Sequence, residues 1–66
     1  PFKSIMEEFE KYYGIQIVIQ NKSILPYSYN GKFRQADGID YALGILQRDI
    51  HFTYKKDSEK QIIYIQ

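Results

Sequence analysis

The sequence has no cysteine and only one histidine among its 66 residues, and its charges nearly cancel. Disulfides and thiolate metal sites are therefore excluded within this chain. No apolar run approaches the roughly 18 residues that a membrane-spanning helix needs. Nine basic and eight acidic residues give a net charge of +1. The sequence thus lacks the basic excess that is typical of nucleic-acid-binding domains.

What the chain does contain is apolar and aromatic: 44% of its residues are hydrophobic and 17% are aromatic. That composition is typical of a globular rather than a disordered chain. A chain of this length forms one domain at most, and it buries only about 60% of its unfolded surface. We therefore predict a single domain over residues 1–66, with a small core.

Two periodicities predict the first half of the domain. Phe2, Ile5, Met6, Phe9 and Tyr13 recur at helical spacing, and Gly14 suits the left-handed end of that helix. From residue 15 to residue 20, isoleucines alternate with other residues, which predicts a half-buried strand.

The second half begins with aromatic residues. Tyr27, Tyr29 and Phe33 predict a strand around 27–33, with Asn30-Gly31 as a bulge or bend within it. Asp37 then looks like the N-cap of a second helix, and Asp40 takes the third position of its first turn.

Helical spacing continues from Ile39 through Leu46 and extends to Ile50. A strand over 51–56, a polar turn over 57–60 and a closing strand over 61–65 complete a predicted hairpin.

The two halves repeat at an offset of 37 residues. Seven apolar positions agree without a gap: Phe2 with Ile39, Ile5 with Ala42, Met6 with Leu43, Phe9 with Leu46, Tyr13 with Ile50, Ile15 with Phe52, and Ile17 with Tyr54. The pattern predicts an α+β fold of two βαβ-like repeats, with two amphipathic helices packed on small sheets. By the same offset a first strand is expected before Pro1, pairing beside the strand at 15–20 or its neighbours, so this chain is predicted to be a fragment of a larger protein. A chance likeness of two amphipathic units is the alternative.

No set of residues indicates catalysis. His51 has Asp49 and Asp57 near it in sequence, but they fall at a helix end and in a turn, so a surface histidine is the favoured interpretation. Glu7 and Glu8 point about 100° apart on a helix, as solvated rather than paired carboxylates. One histidine and scattered carboxylates do not predict a metal site. We therefore expect no enzyme activity and no cofactor.

A small nucleic-acid-binding module is the alternative from another class. Tyr27, Tyr29 and Phe33, with Lys32 and Arg34 beside them, have the residue types that stack bases and neutralise phosphates. However, Gly31-Lys32-Phe33 has the wrong order for an RNA-recognition signature, and cross-strand aromatic packing explains the same residues.

The order of elements and several short runs resemble one known family. The residues that carry the likeness are Ser4 to Ile17, Gly31-Lys32-Phe33, then Ala42, Leu43 and Leu46, then Phe52 to Lys55, and Ile62 to Ile65. They resemble the C-terminal domain of FecR-like anti-sigma factors of the Bacteroidetes kind. That domain is in turn similar to the short N-terminal signalling domain of secretins and TonB-dependent transporters.

The resemblance implies a periplasmic signalling domain of a protein that spans the inner membrane once. The domain would bind the periplasmic signalling domain of a TonB-dependent outer-membrane transporter and relay its signal to an extracytoplasmic-function sigma factor. The signalling domain of a transporter or secretin itself is the close alternative.

The resemblance brings no binding residues, so the candidates come from the residues themselves. One candidate is the second helix, where Tyr41 and Ile45 lie four apart on a flank that the core stripe does not use. The alternative, which we favour slightly, is that sheet covers this helix on two sides and buries the pair. The other candidate is a sheet edge at the predicted strand 27–33, with Tyr27, Tyr29 and Lys32 as specificity contacts. We favour the edge slightly, because that segment interleaves aromatic residues with cations and contains a glycine.

Overall fold

The computed structural model describes residues 1–29 and 34–66, with the side chain of residue 35 left aside. Two helices, α1 (Phe2–Tyr13) and α2 (Ile39–Leu46), pack on one sheet. Its strands are β1 (Gln16–Ile19), β2 (Tyr54–Asp57) and β3 (Ile62–Ile65), and two short 3₁₀ turns span Lys22–Ile24 and Gln35–Asp37. This architecture confirms the predicted α+β class.

Helix α1 forms as its periodicity predicts. Phe2, Met6 and Phe9 are buried along one face. Gly14 ends the helix in the left-handed conformation, at φ 65° and ψ 41°, and its N–H donates to the Glu10 carbonyl at 3.0 Å. A residue without a Cβ adopts that conformation at little cost, so the chain turns directly into β1.

The sheet is mixed, with the order β1–β3–β2. β1 runs parallel to β3, with Ile17 opposite Ile63 and Ile19 opposite Ile65, and β2 pairs antiparallel to β3. Because side chains alternate across a strand, this register puts those isoleucines on the face that meets the helices. Within the part of the chain that the structure describes, β1 and β2 are the two edges of the sheet.

The core lies between that face and the helices. It also includes Ile24 from the first 3₁₀ turn and Phe52 from the segment before β2. The Phe2 and Phe52 rings meet edge to face at a centroid distance of 5.6 Å, which joins the two halves of the chain. The full set of buried residues is Phe2, Met6, Phe9, Ile24, Ala42, Leu43, Leu46, Ile50, Phe52, Ile63 and Ile65.

The start of α2 differs from the prediction. Gly38, not Asp37, is the N-cap, and Asp40 is the second residue of the helix rather than the third. The Asp37 N–H donates to the Arg34 carbonyl at 2.9 Å, and its carboxylate lies 3.9 Å from Arg34 Nε. Asp37 thus closes the preceding 3₁₀ turn, and that local use of its side chain and backbone competes with capping.

The end of α2 also differs, since the helix ends at Leu46 although the apolar row continues to Ile50. Arg48 and Asp49 donate to carbonyls three residues back, at 3.2 and 3.1 Å, so the chain tightens there. Ile50 is nevertheless buried, as the repeat predicts.

The predicted strand over 27–33 is wrong in its described part. Residues 27–29 are not in a strand; the chain reaches them through a 3₁₀ turn and Pro26. The Tyr27 carbonyl accepts a hydrogen bond from the Phe2 N–H at 3.0 Å, so this segment lies beside the start of α1. The rest of the predicted strand, including the Asn30-Gly31 bulge and Phe33, lies outside the described residues. The strand expected before Pro1 stays a prediction.

Candidate protein-binding surface

Three large apolar side chains lie open to solvent in the described part of the chain. Tyr12, Tyr27 and Tyr41 are 55%, 52% and 53% exposed. Tyrosine is enriched in protein interfaces because its ring supplies contact area and its hydroxyl a hydrogen bond. Two of the three, Tyr27 and Tyr41, are residues that the sequence predicts as partner contacts.

The flank of α2 contains the first predicted pair. Ala42, Leu43 and Leu46 are buried against the sheet, which leaves Tyr41 in solvent and Ile45 half-buried. The two residues are four apart and so are neighbours along the helix surface. The structure thus leaves this flank open at Tyr41, with Ile45 contributing part of its side chain.

The second predicted set is only partly described. Tyr27 is exposed, whereas Tyr29 is half-buried and packs against the core. Lys32 lies outside the described residues. Because residues 27–29 are not in a strand, the described part of this set offers no strand edge to a partner.

A groove between α1 and the free edge of β1 is a feature that we did not predict. Its volume is about 300 Å³. Its floor is apolar, formed by Met6, Ile17, Ile19 and Leu25.

The rim of the groove is charged, and one of its acidic groups binds the strand edge. The rim residues are Lys3, Glu7, Glu10 and Lys22. Glu10 Oε2 accepts a hydrogen bond from the Ile17 N–H at 2.8 Å. In the sequence, Glu10 is one of several charged residues on the polar face of α1. Its contact with Ile17 becomes visible only when α1 packs on β1.

A polar cluster fastens the start of α2 to β2. Asp40 accepts hydrogen bonds from the Tyr54 hydroxyl at 2.9 Å and from Lys56 Nζ at 2.7 Å. The bond from Lys56 and then the bond from Tyr54 lower the pKa of the Asp40 carboxyl, with burial opposing them. Burial, then the bond to Asp40, raises the pKa of Tyr54. We assign this cluster to structure rather than to binding, because its groups already satisfy one another.

The comparison with known protein families uses the sequence of the whole chain and not of one surface. The model of the family described as "FecR, C-terminal" matches residues 1–65. The chain belongs to the FecR C-terminal family. Neither the curated proteins nor the solved structures gave a match.

FecR-like proteins are regulatory proteins of the anti-sigma type, and the family is not one of enzymes. In this FecR C-terminal domain, His51 is exposed, as predicted. The residues that the structure describes contain no cluster of three or more histidine or acidic side chains able to hold a metal ion. Within those same residues, no helix is long and apolar enough to cross a membrane.

Proposed function

We propose that this domain binds the periplasmic signalling domain of a TonB-dependent outer-membrane transporter. The domain would be part of a longer anti-sigma factor of the Bacteroidetes kind, and the other parts of that protein would relay the signal to an extracytoplasmic-function sigma factor. The observation that carries the proposal is the family match over residues 1–65. FecR-like proteins are membrane-anchored with their C-terminal domain in the periplasm, which is where such a transporter domain is within reach.

The composition of the surface supports recognition of a protein rather than of a small molecule. Tyr27 and Tyr41 are exposed aromatic side chains of the type that anchors protein interfaces. Net charge is close to zero, so the affinity would come from apolar contact and hydrogen bonds rather than from a charged field.

A relay needs more than binding, because a partner shifts a regulatory equilibrium only by its difference in affinity for the two states. The transporter domain would therefore have to bind the signalling state of the parent anti-sigma factor more tightly than the resting state. The affinity of the isolated domain is one part of that difference.

The first site in this proposal is the α2 flank at Tyr41 and Ile45, and the second is the surface at Tyr27, Tyr29 and Lys32. The flank has the better support, because Tyr41 is exposed on a helix whose opposite face is fixed in the core. An aromatic anchor on a rigid element loses little conformational freedom on binding.

Calorimetric titration with the transporter's periplasmic signalling domain tests the proposal. We expect the wild-type domain to bind, and the double variant Tyr41→Ser with Ile45→Ser to bind at least about tenfold more weakly, because a buried tyrosine anchor contributes on the order of 2 kcal/mol. Tyr12→Ser is the matched control, since Tyr12 is equally exposed but lies on α1.

No binding by the wild-type domain would refute the proposed partner. Equal binding by both variants and the wild type would leave the partner in place and exclude the α2 flank. A parallel variant, Tyr27→Ser, then tests the second surface by the same measurement.

A further inference from the structure

The two edges of the sheet differ in how they are protected against strand addition. β2 contains Lys55, Lys56 and Asp57, and charged side chains on an edge strand oppose pairing with another chain. β1 has the sequence Gln-Ile-Val-Ile and contains no charged residue. The side chains of β1 therefore do not protect its edge against the addition of another strand.

The register fixes which backbone groups line that edge. The N–H groups of Gln16 and Gln20 donate to carbonyls of Gln61 and Ile65, at 2.9 and 2.8 Å. Because N–H and C=O groups alternate in direction along a strand, those of Ile17 and Ile19 point away from β3. These groups form the row to which another extended chain could pair.

Glu10 occupies one position in that row. Its carboxylate accepts from the Ile17 N–H, as the carbonyl of an added strand would. The contact joins a helix side chain to a strand edge seven residues later in the sequence. Glu10 therefore supplies from α1 the protection that the uncharged sequence of β1 lacks.

The groove beside this edge has a charge at each end. Along α1, Lys3 lies about 6 Å from Glu7 and about 10 Å from Glu10, so the groove has a basic end and an acidic end. Lys22 adds a second cation to the rim. Among residues 1–29 and 34–66, neither lysine forms an ion pair, so both are available to a ligand's carboxylate.

We propose that the β1 edge and this groove bind an extended segment of the protein partner by strand addition, with Glu10 as the gate. A carbonyl of the segment takes the Ile17 N–H from Glu10, and an apolar side chain lies on the floor beside Met6. An acidic side chain of the segment meets Lys3 and Lys22, and a basic one meets Glu7. Positions one and five of a strand lie about 13 Å apart at about 3.3 Å per residue, whereas Lys3 and Glu7 lie about 6 Å apart along α1. The length of the charged side chains bridges the difference.

The identity of the partner rests on the function proposed above. An extended polypeptide is the fitting occupant, because only a peptide backbone presents acceptors and donors at the spacing of the Ile17 and Ile19 groups. A helix would fill the groove but would leave the strand edge unpaired. A second copy of this domain, paired through β1, and the strand expected before Pro1 are the competing occupants. The test below separates the first. Repeating the peptide titration on the domain extended upstream of Pro1 separates the second, because a strand of the same chain on this edge would abolish peptide binding.

The first test uses a peptide and the amide spectrum of the isotope-labelled domain. The probe is an acetylated, amidated peptide with aspartate, threonine, valine, threonine and lysine in that order. We expect shifts at the amides of Ile17 and Ile19 and none at Lys56 on the β2 edge. The same peptide, N-methylated at its valine and second threonine, loses a central donor whichever of its edges faces β1, and the methyl group also blocks close approach of the strands, so we expect it not to bind.

Variants on one helix test the gate and the charge. Glu10→Ala should bind the peptide about fivefold more tightly, because no carboxylate then competes for the Ile17 N–H. Glu7→Gln should bind it severalfold more weakly, because the lysine of the peptide loses its partner. Glu8→Gln is the matched control, since Glu8 lies exposed on the same helix but not on the groove, and we expect the wild-type affinity.

The outcomes separate this inference from the proposed function. If the transporter domain binds the wild type but binds the Glu10 and Glu7 variants no differently, the edge proposal is overturned and the proposed function stands. If the peptide binds as expected and the transporter domain does not, the partner is wrong and the edge site stands. If Glu10→Ala dimerises through Ile17 and the peptide does not compete, the edge binds a second copy and the proposal fails.

Discussion

Asp40 is the residue through which the short helix α2 is tied to the sheet. It accepts from both Tyr54 and Lys56, two residues of β2 on the face that meets the helices. The Asp40 side chain is 56% exposed, so solvent screens its ion pair with Lys56. The contribution to stability is therefore modest, and it depends on pH.

Acid titration measures that contribution. The pKa of Asp40 is lower in the folded domain than in the unfolded chain, where it is about 3.8. A lowered folded pKa gives stability that is present above the unfolded pKa and lost as the pH falls through the folded value. We expect Asp40→Asn to destabilise the domain by about 0.5 kcal/mol near pH 7, after allowing for screening, and by less near pH 3.

Urea unfolding at the two pH values checks this, with Glu59→Gln as the control. Glu59 lies exposed in the turn between β2 and β3. A difference between Asp40→Asn and wild type that stays the same at both pH values would contradict the assignment, because the neutral asparagine would then be acting through packing alone.

At the scale of the element, two glycines give opposite predictions for the same substitution. Gly14 has φ 65°, and a Cβ there would meet no atom within 4 Å, so only backbone strain opposes alanine. Gly14→Ala should destabilise the domain by about 1 kcal/mol, whereas Gly14→Asn should cost less because asparagine tolerates the left-handed region. Gly44→Ala, inside α2 and equally free of contacts, should stabilise it by about 0.5–1 kcal/mol.

Denaturant midpoints for the three variants, measured against the wild type, check the predictions for Gly14 and Gly44. The sign of the Gly44 change tests whether α2 is helical at that residue, and the order of the two Gly14 variants tests the left-handed C-cap. Equal destabilisation by alanine at Gly14 and at Gly44 would mean that lost space, rather than backbone conformation, decides both.

Elements with a local cause were predicted well. The stripe of α1 and the alternation of β1 each depend on residues that are close in sequence, and both elements form with bounds shifted by a residue or so. The N-cap of α2 was predicted one residue too early, at Asp37, because this residue can also close a 3₁₀ turn through its backbone and side chain, and it does so here. Tyr27 and Tyr29 were mistaken for part of a strand because alternating aromatic residues fit a pleat only beside a paired strand, and none pairs with residues 27–29 among residues 1–29 and 34–66.

For the whole molecule, the sequence predicted which residues lie outside the core stripe, but not what covers them or where the grooves lie. Helical spacing placed Tyr41 outside the core stripe but favoured its being covered by sheet on a second side, whereas the structure leaves it in solvent. The groove at the β1 edge could not be predicted, because it depends on where α1 lies over the sheet and on which strand pairs with β3. Neither the position of α1 on the sheet nor the pairing of β1 with β3 can be predicted from a short stretch of sequence. The contact between Glu10 and Ile17 was therefore not predicted.

The repeat at an offset of 37 makes a prediction for the stability of the whole domain. Phe9 and Leu46 are equivalent in the two halves, and they are 1% and 0% exposed. Truncation of either to alanine removes buried apolar surface and leaves a cavity, which costs about 3–5 kcal/mol for the phenylalanine and about 2–5 for the leucine. At about 0.05–0.15 kcal/mol per residue, a domain of this size has only a few to about ten kcal/mol in total.

We therefore expect Phe9→Ala to be largely unfolded at 25 °C and Leu46→Ala to melt many degrees below the wild type. Circular dichroism during heating measures both, and Tyr12→Ala serves as the control because Tyr12 lies on the same helix but is 55% exposed. If Phe9→Ala melts within a few degrees of the wild type, α1 does not bury this face. If only one of the two truncations is costly, the core is carried by one half of the chain, and the repeat in the sequence has no counterpart in the energetics of the fold.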